Sequence, residues 1–316
     1  MNLKILYLIF KTARPRQWIK NLALFAPLFF SGFLFYKPTF QPSYFIQVSW
    51  GVIIFCILTS SVYIMNDIID IKADQQHPFK KKRPIASGDL PIPIAIFSAI
   101  TGIMIVFFLS LTMPFFFQLL LLSYLVLQIL YAKKIKHVPI LDVISIAAGF
   151  LIRVYTGAVI VDIGINVWFL LTVVSASLFL AVGKRQSERT LLVGKLGTTR
   201  KTLTSYSQRL LDQYTSMFAT ATWMSYALFT FQSNSINMMP INERFSLFYN
   251  FLPRTMRSTK LLMLTVPLVI FGVMRYSALV FEENRGESPE VVLLRDKTLL
   301  TTVFVFLIMV WLIIYV

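Results

Sequence analysis

Long apolar runs recur from Asn21 to Val316, separated by short polar stretches that are rich in lysine and arginine. A helix needs about 20 mostly apolar residues to cross the hydrocarbon core of a bilayer. The pattern predicts nine spans, at 21–36, 45–65, 92–113, 115–131, 140–161, 165–182, 214–232, 260–281 and 299–316. The fold class is therefore all-α, a polytopic membrane bundle forming a single domain over residues 1–316. The runs meeting near Met113-Pro114, and those meeting near Asp162, leave room only for tight hairpin connections. The run from Phe45 to Met65 leads directly into Asn66-Asp67-Ile68-Ile69-Asp70-Ile71-Lys72-Ala73-Asp74, and then into His77-Pro78-Phe79-Lys80-Lys81-Lys82-Arg83-Pro84.

Composition supports the membrane reading. Charged residues are 14% of the chain and mean hydropathy is +0.71, whereas soluble domains carry about 25% charged residues. The net charge of +16 is assigned to basic loops facing anionic lipid and phosphorylated substrates, and not to nucleic acid. With the N-terminus inside, the outer loops at 37–44, 114, 162–164 and 233–259 hold only Lys37, Arg244, Arg254 and Arg257. The other cations then crowd the cytoplasmic side, along 66–91, 132–139 and 183–213, so the acidic stretch is cytoplasmic, the C-terminus is outside, and the protein is expected in the plasma (inner) membrane. Residues 245–251 read as an interfacial helix. The cations before Asn21 flank an uncleaved first span and not a signal peptide, since no small-residue cleavage site follows Phe35. Cys56 is the only cysteine, so an internal disulfide is excluded.

The chemistry concentrates at Asp67, Asp70 and Asp74, three of the fourteen acidic residues. Their i, i+3, i+7 spacing puts them within an arc of about 60° on one helix face. Carboxylates crowded in this way repel one another unless a cation sits among them. Mg²⁺ takes hard oxygen ligands and is commonly held by one or two carboxylates plus substrate phosphates. The three aspartates are therefore candidate metal ligands against a diphosphate, with Asn66 in support. A solvated helix end with Asp–Lys pairs is the plainer alternative. Lys82 and Arg83, at the end of the basic run, suit a pyrophosphate leaving group as well as a membrane anchor. His77, beside a proline turn, reads as structural.

Other candidates are spread along the chain. Lys184 and Arg185 follow the sixth predicted span, and the arginine fork suits a phosphate. Arg153 lies in the middle of the fifth span, where an arginine lines a wet cavity or pairs with an acid. Asp142 stands eleven residues before it, about three turns, and Tyr131, Lys136 and Asp142 could form a second polar patch at a cavity mouth. Arg14 and Lys20, on either side of Trp18, anchor the first span or meet a lipid phosphate.

The stretch Asn66-Asp67-x-x-Asp70-x-x-x-Asp74 resembles the first aspartate motif of the UbiA superfamily of intramembrane prenyltransferases. That resemblance implies a nine-helix bundle with Mg²⁺-dependent diphosphate chemistry at a cytoplasmic cavity. Four stretches are similar to the decaprenyl-phosphate phosphoribosyltransferase branch: Arg14 to Asn21 with Phe25-Ala26-Pro27-Leu28; His77-Pro78 through Arg83-Pro84-Ile85-Ala86-Ser87-Gly88; Gly183-Lys184-Arg185; and Ser288-Pro289-Glu290 through Leu294-Arg295-Asp296. The wider superfamily carries a second aspartate-rich motif after the sixth span, where this chain has Lys184 and Arg185, with Glu188 the only acid nearby. A prenyl diphosphate donor wants metal at that place, whereas phosphoribosyl pyrophosphate brings a 5-phosphate that wants cations.

The resemblance thus implies transfer of 5-phosphoribose from phosphoribosyl pyrophosphate to a polyprenyl phosphate, with the lipid product serving cell-wall biogenesis. Asp67, Asp70 and Asp74 would hold Mg²⁺ on the pyrophosphate, and Lys184 and Arg185 the 5-phosphate. Lys20, Arg14 or Arg153 would receive the lipid phosphate. Transfer of a prenyl group to an aromatic or other acceptor is the alternative within the fold, and a non-catalytic transporter or lipid-binding protein is the alternative outside it.

Overall fold

Seven helices of the computed structural model are long and apolar enough to cross a membrane: Tyr44–Ile69, Ile92–Ser110, Phe115–Lys133, Leu141–Ile160, Val167–Arg189, Leu261–Phe281 and Lys297–Tyr315. The structure describes residues 3–76, 80–191, 206–233, 260–281 and 289–315. In chain order these residues form α1 (Leu3–Thr12), a 3-10 run (Pro15–Leu24), α2 (Phe25–Ser31), α3 (Tyr44–Ile69), α4 (Ile71–Gln76), α5 (Ile92–Ser110) and α6 (Phe115–Lys133). They continue with α7 (Leu141–Ile160), α8 (Val167–Leu191), α9 (Gln208–Gln232), α10 (Val266–Phe281), α11 (Pro289–Arg295) and α12 (Lys297–Tyr315). No strand occurs among the described residues.

Three of the expected spans need correction. Residues 21–36 are not one helix: a 3-10 run that opens on Pro15 hands over to the short α2, which ends before Gly32. Gly32 has φ +81°, the left-handed conformation with which glycine stops a helix. The sixth span does not end at 182. α8 continues to Leu191, so Lys184 and Arg185 lie on a helix and not in a loop. The span expected at 214–232 is the 25-residue α9, which is less apolar than the seven helices above. Its hydroxyls turn back onto their own helix, Thr215 Oγ1 donating to the Leu211 carbonyl at 2.8 Å and Thr222 Oγ1 to that of Phe218 at 2.6 Å. The expected interfacial helix at 245–251 lies outside the described residues.

The described residues form two compact units, one of residues 3–29, 33–76, 80–164 and 206–207, the other of residues 30–32, 165–191, 208–233, 260–281 and 289–315. In the first, α3 and α7 are central, with 56% of their apolar windows buried, while α5 and α6 are peripheral at 17% and 22%. Phe97, Phe107, Phe108, Phe115 and Phe116 point outward from α5 and α6, as lipid-facing side chains do. The interior is built from Leu24, Leu28, Ile54, Phe55, Leu58, Phe117 and Ile160. In lipid, helices associate through close backbone approach and not through hydrophobic collapse. Gly157 provides such an approach, since a Cβ there would fall 1.8 Å from the Leu24 carbonyl oxygen. That contact seats the 3-10 run on α7.

In the second unit α8 packs along α9, and Phe179, Tyr276, Leu279, Val280, Val292 and Leu299 form the core. Asp296 starts α12. It accepts the Leu299 N–H at 2.7 Å, as a helix N-cap does, and the Arg275 guanidinium at 2.6 Å.

Candidate active site

The last turn of α3 brings Asp67 to the end of the span, and the helix breaks at Asp70 (φ −92°, ψ 7°). Helical bonding nevertheless carries on through the break: the Asp70 N–H donates to the Asn66 carbonyl at 2.9 Å and the Asp74 N–H to that of Asp70 at 2.8 Å. Asp67 and Asp74 are buried, 3% and 4% exposed. Both meet one atom: Nη1 of Arg83 lies 3.1 Å from Asp67 Oδ1 and 2.6 Å from Asp74 Oδ2. Arg14 donates to the same Asp67 oxygen. Asp70, with a side chain 36% exposed, instead pairs with Lys136. Of the three carboxylates expected on one face, two share one guanidinium and the third pairs with a lysine.

Each of these cations is placed by local structure. Arg83 follows the 3-10 turn Lys80–Lys82, its N–H bonded to the Lys80 carbonyl at 3.0 Å. The segment after it is pinned by Ile85 and Leu90, each 1% exposed, which pack on Ile64, Ala95 and Ala99. Gly88 turns that segment at φ +84°, a conformation glycine adopts without penalty. Lys82, the other candidate in this loop, is exposed. Lys136 sits in the 3-10 turn Ile135–His137 that joins α6 to α7. Arg14 occupies the corner between α1 and the 3-10 run at φ 55°, ψ 63°. A non-glycine residue in that conformation costs about 1–3 kcal/mol, and such strain gathers at functional sites. Its guanidinium also lies 5.0 Å from the Tyr63 ring centroid, and Trp18 Nε1 donates to Ser60 Oγ at 3.0 Å, fixing the 3-10 run to α3.

These residues fit a divalent hard cation. Asp67 and Asp74 present oxygens to a single cationic atom between them, which is what one or two carboxylates do when they hold Mg²⁺ together with substrate oxygens. Among the described residues no three acidic, histidine or cysteine side chains form a complete metal cage. Asn66 is half-buried beside them. His77 lies outside the described residues.

Arg153 is 5% exposed, and its fork is bonded to neutral groups: Asn21 Oδ1 at 3.0 Å, the Gly149 carbonyl at 3.0 Å and Tyr124 Oη at 2.7 Å. The pair it could have formed with Asp142 is absent. Asp142 Oδ1 accepts the Tyr206 hydroxyl at 2.6 Å, and the same hydroxyl receives the Ile140 N–H at 2.6 Å. Ile140 has φ 68°, a strained value for a β-branched residue. Of the expected patch of Tyr131, Lys136 and Asp142, Lys136 pairs with Asp70 and Asp142 accepts from Tyr206. Tyr131 and Lys20 are half-buried. No motif or spacing in the sequence marks Tyr206 or Tyr124, and the signal for them is a polar side chain in an apolar setting.

In the other unit, Arg185 is 1% exposed and pairs with Glu188 one turn on, while Lys184 Nζ lies 4.0 Å from Glu188 Oε1. Gly183 lies against Tyr276, whose Cε1 a Cβ would meet at 3.1 Å. Ser288 lies outside the described residues.

The sequence matches the UbiA prenyltransferase family over residues 24–233. It is 32% identical over 298 residues to the decaprenyl-phosphate phosphoribosyltransferase of Mycolicibacterium smegmatis, covering 92% of this chain and 87% of that protein. It is 34% identical over 294 residues to the protein of the same name from Corynebacterium glutamicum, covering 92% and 81%. In structure it resembles a UbiA homolog from Archaeoglobus fulgidus bound to DMAPP and Mg²⁺, with a TM-score of 0.68, 15% identity and coverage of 97% of this chain and 98% of that one. The apolar helices, the acidic stretch that closes α3 and the match over most of the sequence lead to one conclusion: the chain is an integral membrane protein and belongs to the UbiA prenyltransferase family.

Proposed function

We propose that the protein is a membrane phosphoribosyltransferase that moves 5-phosphoribose from phosphoribosyl pyrophosphate to a polyprenyl phosphate, decaprenyl phosphate being the acceptor its relatives' names indicate. The observation that carries this reading is the similarity along 92% of the chain to two proteins named for that reaction. The acidic pair on Arg83 supplies a site of suitable chemistry. In the reaction the bond from the anomeric carbon to the pyrophosphate oxygen breaks, an oxygen of the lipid phosphate bonds to that carbon, and pyrophosphate leaves. The lipid phosphate is already ionised near neutral pH, with a second pKa of about 6, so no strong base is required. Positioning and charge stabilisation are the protein's main contributions.

Asp67 and Asp74 would hold Mg²⁺, with Asp70 and Asn66 in support. The ion supplies charge neutralisation on the departing pyrophosphate. Arg83, Lys136 and the exposed Lys82 receive pyrophosphate oxygens. Lys20 and Arg14 meet the lipid phosphate. Arg153 acts on them as a positioning residue, since its bond to Asn21 holds the 3-10 run that carries Lys20. Lys184 and Arg185 are assigned to the donor's 5-phosphate on their chemistry and their place in the sequence. The site faces the cytoplasm of a plasma membrane, with the N-terminus inside, on the distribution of lysine and arginine. Purified protein given Mg²⁺, decaprenyl phosphate and ribose-labelled phosphoribosyl pyrophosphate is expected to move label into the organic-extractable lipid. No labelled lipid would overturn the reading.

A further inference from the structure

Arg83 places a single nitrogen between two buried carboxylates, and its position is fixed by the folded segment that follows it. Nη1 is 3.1 Å from Asp67 Oδ1 and 2.6 Å from Asp74 Oδ2. Around it, three carboxylates (Asp67, Asp70, Asp74) are matched by three cations (Arg14, Arg83, Lys136). Among the described residues these pairs balance in charge. A divalent ion entering alone would meet a guanidinium in the place it needs and add two positive charges to a set of already balanced pairs. A divalent ion entering with a diphosphate changes each of those conditions, because the pair is net anionic and its oxygens accept the arginine.

We propose that Arg83 is a placeholder for the metal. It holds Asp67 and Asp74 together in the ligand-free protein, disfavours binding of the bare ion, and moves from carboxylate to diphosphate oxygen when metal and diphosphate arrive together. Metal and diphosphate binding are therefore coupled through one side chain, and by linkage each strengthens the other by the same factor. This inference rests on the proposed assignment of Asp67 and Asp74 as metal ligands. It does not depend on which acceptor lipid is used. It also gives Arg83 a role that Lys82, the residue just before it and exposed, does not share.

The test uses the full-length protein in lipid nanodiscs and Mn²⁺ as a paramagnetic substitute for Mg²⁺, with protein-bound Mn²⁺ read by electron paramagnetic resonance against protein-free samples of the same Mn²⁺ and pyrophosphate content. Wild type is expected to bind Mn²⁺ weakly alone and roughly 10-fold or more tightly with saturating inorganic pyrophosphate, within the usual range of coupling. Arg83→Gln, which keeps hydrogen-bonding capacity but removes the charge, is expected to bind Mn²⁺ alone more tightly than wild type and to lose most of the pyrophosphate effect. Arg83→Lys keeps the charge and is expected to retain weak binding of Mn²⁺ alone. It also serves if the glutamine variant does not fold. Metal-only affinity that is unchanged or weaker in Arg83→Gln, or stronger in Arg83→Lys, overturns the placeholder while leaving the metal assignment standing. Absence of Mn²⁺ binding in every variant, with and without pyrophosphate, overturns both.

Discussion

At the scale of single residues, the informative atom is Asp67 Oδ1, which accepts from both Arg14 and Arg83. A buried carboxylate is tolerable only when paired and hydrogen-bonded, so these cations serve stability in the ligand-free protein as well as substrate binding later. Asp67→Asn keeps an oxygen for both arginines and removes the negative charge a divalent ion needs. Transfer is expected to fall by roughly 100-fold or more in kcat/KM, with a lower melting temperature because two arginines lose their charged partner. Activity near the wild-type level would remove Asp67 from the metal site. Sequence spacing brought out the three aspartates and most of the cations that touch them, but not who pairs with whom. Arg14 reaches Asp67 across 53 positions and Lys136 reaches Asp70 across 66, and no local pattern reports such contacts. Asp70, at the backbone break that ends α3, pairs with Lys136, whereas Asp67 and Asp74 share Arg83.

At the scale of elements, the beginning of α7 depends on a residue far along the chain. The Tyr206 hydroxyl satisfies both the Asp142 carboxylate and the N–H of the strained Ile140. Tyr206→Phe removes both bonds and leaves a buried carboxylate oxygen without that donor, so a loss of about 1–3 kcal/mol is expected, read by thermal unfolding in nanodiscs. A variant as stable as wild type would show that water or another group replaces the hydroxyl. The hydrophobic pattern located most spans to within a few residues: 140–161 became Leu141–Ile160, and 92–113 became Ile92–Ser110. It failed where helix and apolar run are different things. α8 outlasts its apolar stretch because a helix that has left the membrane can continue on polar residues. Residues 21–36 are apolar but lack an unbroken helix, because Gly32 stops α2 and the 3-10 run precedes it.

At the scale of the molecule, α5 and α6 are the least buried apolar helices of the first unit, and they pack on α3 and α7, which carry buried polar side chains. Burying polarity costs heavily in lipid, and the acidic cluster, Arg153 and Asp142 all stand on or beside those two central elements. Lys184 and Arg185 belong to the other unit, and their assignment to the 5-phosphate has its own consequence. Lys184→Ala is expected to raise KM for phosphoribosyl pyrophosphate by about 10-fold or more, the range for a lost charged hydrogen bond, with a smaller change in kcat. An unchanged KM would remove Lys184 from the donor site. The central claim is the identity of the transferred group, and the mass of the lipid product tests it most directly. Purified protein is incubated with decaprenyl phosphate, Mg²⁺ and either phosphoribosyl pyrophosphate or a prenyl diphosphate, and the extracted lipid is weighed by mass spectrometry. The account expects decaprenyl phosphate to gain one phosphoribosyl group with the first donor only, the gain being abolished by EDTA and restored by Mg²⁺. A lipid of unchanged mass with the first donor, or a prenylated product with the second, would contradict it.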